Sequence, residues 1–368
     1  MKRIFLAFLI IFIVSVSSYA QQTGCFKPIA NNEIELETNI DFSDYNAFFL
    51  GEFHGVYGIS EIKLALIKYL NQHYGITDLF MEMSYSAAFL YNAYLITGDT
   101  SLLINPTLIY YMKKPNEDFW EKLYEYNKGL QHKITIRGSD FERIEFLKVL
   151  KMLAPTGREK PSEIFSVLNY IDTISVPDLA RVHTDNSYAQ NSIYESIRDS
   201  MEQNRELYKA YYGANYKTVA DIMFNENTYR KFDSRNKAMY HNIIKQINEN
   251  GIQKFITFNG LNHGDMSYVG WNSLCHRLAK TPAFKNKLAD IAMICKNCYD
   301  WQLQPELQNA TYRAPATYRK DTTLINNIYD QYNNKNCKYT LIPTDGVNNS
   351  KVKKFSNFIL LMKDQPEF

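Results

Sequence analysis

The sequence predicts an α/β protein: a central, mostly parallel sheet flanked by helices and carrying a helical insertion. Three observations carry that reading. Apolar runs stop abruptly at polar, glycine-bounded edges, at 48–55 and again at 254–265. Helical periodicity follows the first run, and a second strand-like run follows the helix. Further strand-like runs recur at 290–294, 339–342 and 358–362.

At 368 residues the chain is long enough to bury a large core. Lys2 and Arg3 precede an apolar run at 4–16, and Ser17, Ser18 and Ala20 supply small residues for cleavage. Residues 1–20 therefore read as a signal peptide, too short in its apolar part for a comfortable membrane span. The mature chain is expected to be exported, to the periplasm or beyond, with no membrane span. Cys25 lacks an apolar residue three positions before it, which disfavours a lipoprotein. Residues 21–45 read as an exposed lead-in and 46–368 as a single domain, with its helical insertion at about 155–250.

The first polar edge is Gly51-Glu52-Phe53-His54-Gly55. In an extended backbone Glu52 and His54 project together while Phe53 packs on the other face. Ser60 is positioned to cap a helix at 61–73, where Ile62, Leu66, Tyr69 and Leu70 recur at helical spacing and Gly75 ends the pattern. Residues 78–83 read as the next strand, parallel to the first because a helix joins them. Glu82 then shares a sheet edge with Glu52 and His54. Ligands and catalytic groups of open α/β sheets collect at that edge.

Residues 85–130 read as helical, broken near Pro106 and Pro115. A strand at 133–138 ends at Ser139-Asp140, and Asp140 suits both an N-cap and a site residue. Pro161 and Pro177 mark a connecting region. Residues 190–250 are mostly helical, and the last helix, 234–248, carries Met239, Ile243, Ile244 and Ile247 on one stripe. The strand at 254–260 leads into Leu261-Asn262-His263-Gly264, the second edge bearing a histidine.

With 41 basic and 39 acidic side chains the net charge is +2, which gives no footprint for nucleic acid. The expected partner is a small-molecule or peptide substrate. Five cysteines, Cys25, Cys275, Cys295, Cys298 and Cys337, suit disulfides in an oxidising compartment. The Cys295/Cys298 pair follows a strand with no helix pattern behind it, so bridging is favoured over redox catalysis.

Together these segments resemble erythromycin esterase-like proteins. The likeness begins at Gly51-Glu52-Phe53-His54-Gly55, continues through Glu61-x-Lys63 and Glu82, and resumes at Gly138-Ser139-Asp140. It is most specific at Arg235-Asn236-Lys237-Ala238-Met239-Tyr240-His241-Asn242, which is similar to the family's Arg-Asp-x-x-Met-x-x-Asn helix. A strand ending at Asn259 and His263 comes next, so the likeness runs over roughly 48–265. Two departures stand out: Phe53 alone separates Glu52 from His54 where the family usually has two residues, and Gly58 stands where it tends to have an acid. The shorter edge is similar to that of the wider superfamily, including Tiki-type metalloproteases and ChaN-type haem-binding proteins.

The resemblance implies hydrolysis in which a histidine activates water against an ester carbonyl. His54 is the expected base, with Glu52 or Glu82 orienting it. His263 and Arg235 are expected to stabilise developing negative charge, and Asp140 to support them. Glu52, His54, Glu82 and His263 also form a mixed N/O set suited to a divalent metal, although no His-Glu-x-x-His is present. A haem or iron-uptake protein and a metal-dependent peptidase are the alternative readings.

Overall fold

The computed structural model describes residues 23–30, 33–52, 56, 58–103, 113–173, 187–226, 232–264, 272–296, 322–332, 334, 336–346 and 356–363. The expected signal peptide lies outside these residues. Among them the strands are β1 (Gly24–Ile29), β2 (Glu33–Thr38), β3 (Ala47–Glu52), β4 (Asp78–Met81), β5 (Thr135–Gly138), β6 (Phe255–Gly260), β7 (Leu288–Lys296), β8 (Tyr339–Pro343) and β9 (Phe358–Lys363). They make one sheet in the order β2-β1-β8-β9-β7-β3-β6-β4-β5. From β9 to β5 every neighbouring pair is parallel. The three pairs from β9 through β8 and β1 to β2 are antiparallel. The mostly parallel sheet expected from the sequence is present.

The helices are α1 (Ile59–Tyr74), α2 (Tyr85–Thr97), α3 (Lys113–Gly129), α4 (Glu145–Leu153), α5 (Phe165–Thr173) and α6 (Ser187–Gln203). They continue as α7 (Arg205–Tyr212), α8 (Tyr216–Met223), α9 (Phe232–Asn250), α10 (Leu274–Lys280) and α11 (Thr322–Tyr332). Alternation along β3 decides which of them cover which face. Phe48 and Leu50 enter a core shared with Ile62, Leu66 and Leu70 of α1. Ala47 and Phe49 enter a second core with Met239, Ile243 and Ile247 of α9 and Leu274 and Leu278 of α10. A strand apolar on both faces is buried on both faces. The last helix of the expected insertion thus lies against the sheet itself.

Several local expectations are corrected. The stretch expected as an exposed lead-in forms the β1–β2 hairpin, with Phe26, Ile34 and Leu36 buried. The alternation Glu33-Ile34-Glu35-Leu36-Glu37 is the period of a strand with one covered face. Gly58, not Ser60, is the N-cap of α1, and Ser60 is buried inside the helix. Pro115 does not break a helix but sits in the first turn of α3, where its missing N–H costs no intrahelical bond. Gly75 does end α1, in the left-handed conformation at φ 68°, as expected of a residue without Cβ.

Strands β3 and β4 are parallel, as their connecting helix predicts, yet they are not neighbours, because β6 pairs with both. Cys25 of β1 is disulfide-bonded to Cys337, which precedes β8. That bond joins positions 312 residues apart and uses the cysteine a lipid anchor would need. Cys295 is also disulfide-bonded, whereas Cys275 is a buried thiol. Among the described residues no helix is long and apolar enough to cross a membrane.

Candidate functional site

The site is built where β4, β5 and β6 end. Glu82 follows β4 directly, and its backbone N–H donates to Phe258 O of β6 at 3.2 Å. Beyond β5 the backbone folds close over the β4 loop, with Ser139 N–H and Asp140 N–H both donating to Met83 O at 2.9 Å. Gly138 makes that approach feasible: a Cβ there would lie 2.2 Å from Ser84 O. Two carboxylates from separate strands are thereby fixed side by side.

Helix α9 supplies the cation between them. Arg235 donates from Nε to Asp140 Oδ1 at 2.9 Å and from Nη2 to Asp140 Oδ2 at 2.7 Å. The same Nη2 donates to Glu82 Oε1 at 2.6 Å. Burial opposes the guanidinium charge, but the hydrogen bonds and charges of Asp140 and Glu82 outweigh it and raise the pKa above its ordinary value. Residues 235, 239, 242 and 246 fall on one helical face, and each has a task there. Met239 enters the core, Asn242 Nδ2 donates to Ser139 O at 3.1 Å, and Gln246 Nε2 donates to Gly138 O at 2.7 Å. The Arg-x-x-x-Met-x-x-Asn spacing is therefore the spacing of a helix that grips the end of β5.

His263 closes the cluster from the turn after β6. It is 2 % exposed, with Nε2 3.4 Å from Glu82 Oε1 and Nδ1 2.5 Å from Asn236 Oδ1. Asn236 is wholly buried and fixes the ring; in this orientation Nδ1 donates to it. Glu82 Oε2 also accepts the Gly260 N–H at 2.7 Å, so strand β6 holds both Glu82 and His263 in place.

Of the residues expected from the sequence, Glu82, Arg235, Asp140 and His263 converge. Asp140 does not cap the helix after it; the N-cap of α4 is Ile144, and Asp140 binds Arg235 instead. Glu52 stands level with Gly260 in the β3–β6 register. Its side chain forms an ion pair with Lys63 of α1 at 3.1 Å, and the Lys63 ammonium lies 5.5 Å from the centre of the Phe119 ring. His54 lies outside the described residues.

With this geometry in hand, comparison with known proteins locates the fold. No protein-family model matches the chain, and no curated protein matches it in sequence. Solved structures do match over most of their length. A mutant of erythromycin esterase EreC in its open conformation aligns with a TM-score of 0.57 at 13% identity, over 88% of this chain and 91% of that one. The chain shares the erythromycin esterase fold. A Bacillus cereus protein aligns with a TM-score of 0.57 at 15% identity, covering 88% of this chain and 89% of that one. A succinoglycan biosynthesis protein aligns with 0.59 at 14%, covering 88% of each. The likeness read from scattered motifs is met at the level of fold.

On this fold Glu82 and Asp140 are paired with Arg235, and Glu52 with Lys63. Among the described residues no group of three His, Cys, Asp or Glu side chains could hold a metal ion.

Sequence reading missed three residues that shape the site. Asn236 was visible only as the position where the family helix has Asp. Arg143 gave no signal beyond lying three residues after Asp140. Glu142 is 4 % exposed and accepts from Tyr85 N–H at 2.8 Å, Ser86 N–H at 3.3 Å, Ser86 Oγ at 2.5 Å and Asn225 Nδ2 at 2.9 Å. Burial pushes this carboxyl up to about 8 against the hydrogen bonds from Ser86 and Tyr85.

Proposed function

We propose that the protein is an exported hydrolase that cleaves an ester or related carbonyl bond with histidine-activated water. The observation that carries this reading is the guanidinium of Arg235 at the carboxyl ends of the parallel strands. Asp140 and Glu82 engage Nε and Nη2, and among the described residues Nη1 makes no hydrogen bond. A donor held rigid in this way needs no reorganisation when charge develops on a substrate oxygen. The shared fold with an erythromycin esterase supports the reaction class.

In this reading His54 takes a proton from water as its oxygen attacks the carbonyl carbon. Arg235 Nη1 donates to the oxyanion, and collapse breaks the bond to the leaving oxygen, which takes the proton back from the imidazolium. Glu82 keeps Arg235 and His263 in place. The matched carboxylates favour a reaction in which these residues work without a metal.

A panel of esters, lactones and peptides, assayed with and without chelator, tests the proposal. His54→Ala is expected to lower turnover about 100- to 10,000-fold while the melting temperature stays nearly constant. Retained turnover would remove His54 as the base, and chelator-sensitive peptide cleavage would favour the peptidase reading. A sharp Soret shift on adding haem, with no substrate cleaved, would replace hydrolysis by binding.

A further inference from the structure

Two guanidinium groups, not one, converge on Asp140. Arg235 Nη2 lies 2.7 Å from Asp140 Oδ2, and Arg143 Nη2 lies 3.8 Å from the same oxygen. Both also pack on one ring: the guanidinium carbons of Arg143 and Arg235 are 5.1 and 5.4 Å from the centre of Phe141. A cation held by an aromatic face keeps the edges of its guanidinium plane for other partners. At 3.8 Å the Arg143 contact is too long for a hydrogen bond, and among the described residues its guanidinium makes none. Among the described residues neither N–H of Arg235 Nη1 is bonded, so one can meet the oxyanion of the reaction and the other a bound anion. Both side chains are accessible, at 23% and 20%.

The charge balance points the same way. Asp140 is 1 % exposed and bonded through both oxygens to Arg235, so it offers Arg143 proximity without a hydrogen bond. The charge of Arg143 is thus held beside the cluster with its donors unspent. Forked N–H donors on adjacent guanidinium groups match the planar or tetrahedral oxygens of a carboxylate or phosphate.

We propose that Arg143 and Arg235 form an oxyanion-binding subsite around Phe141, and that the ester cleaved beside it carries a carboxylate or phosphate group. The word ester rests on the hydrolase reading; the anion subsite does not. Two experiments on the mature full chain separate them. Calorimetric titration with sodium succinate and with inorganic phosphate reads binding directly. At least one of the two is expected to bind, and which one identifies the source of the oxyanion. Arg143→Gln should weaken it about 10- to 100-fold, as the loss of a charge-assisted hydrogen bond does, and Arg143→Lys should recover part of the loss. Melting curves of each variant confirm that it is folded.

The second experiment compares p-nitrophenyl hemisuccinate with p-nitrophenyl butyrate. Where the calorimetry selects succinate, the ratio of their kcat/KM values should fall about 10-fold or more in Arg143→Gln, mainly through KM. Neither anion binding, or binding untouched by Arg143→Gln, would overturn the subsite even if esters were cleaved. Anion binding that depends on Arg143 with no ester cleaved would overturn the hydrolase reading and leave the subsite standing.

Discussion

Asp140 and Glu142 lie two residues apart, are both buried, and meet opposite surroundings. Asp140 faces the strand ends and is gripped by a permanent guanidinium. Glu142 faces the helical side, and its partners among the described residues are neutral donors: two N–H groups at the start of α2, a hydroxyl and an amide. Removal from water penalises a carboxylate in both places, but among the described residues it is Asp140 that has a full opposite charge bonded to it. Glu142 is consequently pushed up to about 8. Burial alone does not make a charged site; the partner decides whether a carboxyl serves as a fixed anion or as a structural hydrogen-bonding group.

Removing the cation should break this contrast most severely. Arg235→Met leaves the buried Asp140 and the partly buried Glu82 without their guanidinium and is expected to cost about 3–5 kcal/mol, measured by urea unfolding. A loss below about 1 kcal/mol, the level of an exposed ion pair, would show that the two carboxylates do not depend on Arg235.

The second prediction concerns pH. A carboxyl whose value rises from 4.5 to about 8 on folding binds its proton more tightly in the folded state. Its contribution to stability is complete below pH 4.5 and is lost as the pH rises toward 8. The wild-type melting temperature should therefore fall relative to that of Glu142→Gln across this window. A constant difference between the two curves would place Glu142 with Asp140 as a fixed anion.

The smallest effect is expected from Asn225→Ala. It withdraws one neutral donor from Glu142 while Tyr85 and Ser86 keep theirs. A loss of about 1 kcal/mol is expected, measured by the same unfolding curves, with no change in ester turnover. Loss of turnover in a variant of full stability would tie the helical side to the chemistry.

Local pattern carried much of the fold. The run Ala47-Phe48-Phe49-Leu50 has no polar face, which a strand between two helical layers requires, and both layers are present. The spacing of Arg235, Met239, Asn242 and Gln246 is legible for the same reason: helical periodicity puts them on one face whatever that face meets. The β1–β2 hairpin was equally written in its alternation of glutamates with Ile34 and Leu36. It stands outside the strand–helix rhythm of the rest, and that rhythm alone predicts a lead-in there.

The residue sequence by itself determined where strands end and which polar types stand at those ends, because turns, periodicity and buried runs are short-range properties. Only the tertiary structure decided the pairing. It inserted β6 between β3 and β4, joined Asp140 to Arg235 across 95 positions, and paired Glu52 with Lys63 of the helix that follows its strand. Those choices depend on strand order and on how α9 seats against the sheet, which are set by the whole chain packing at once.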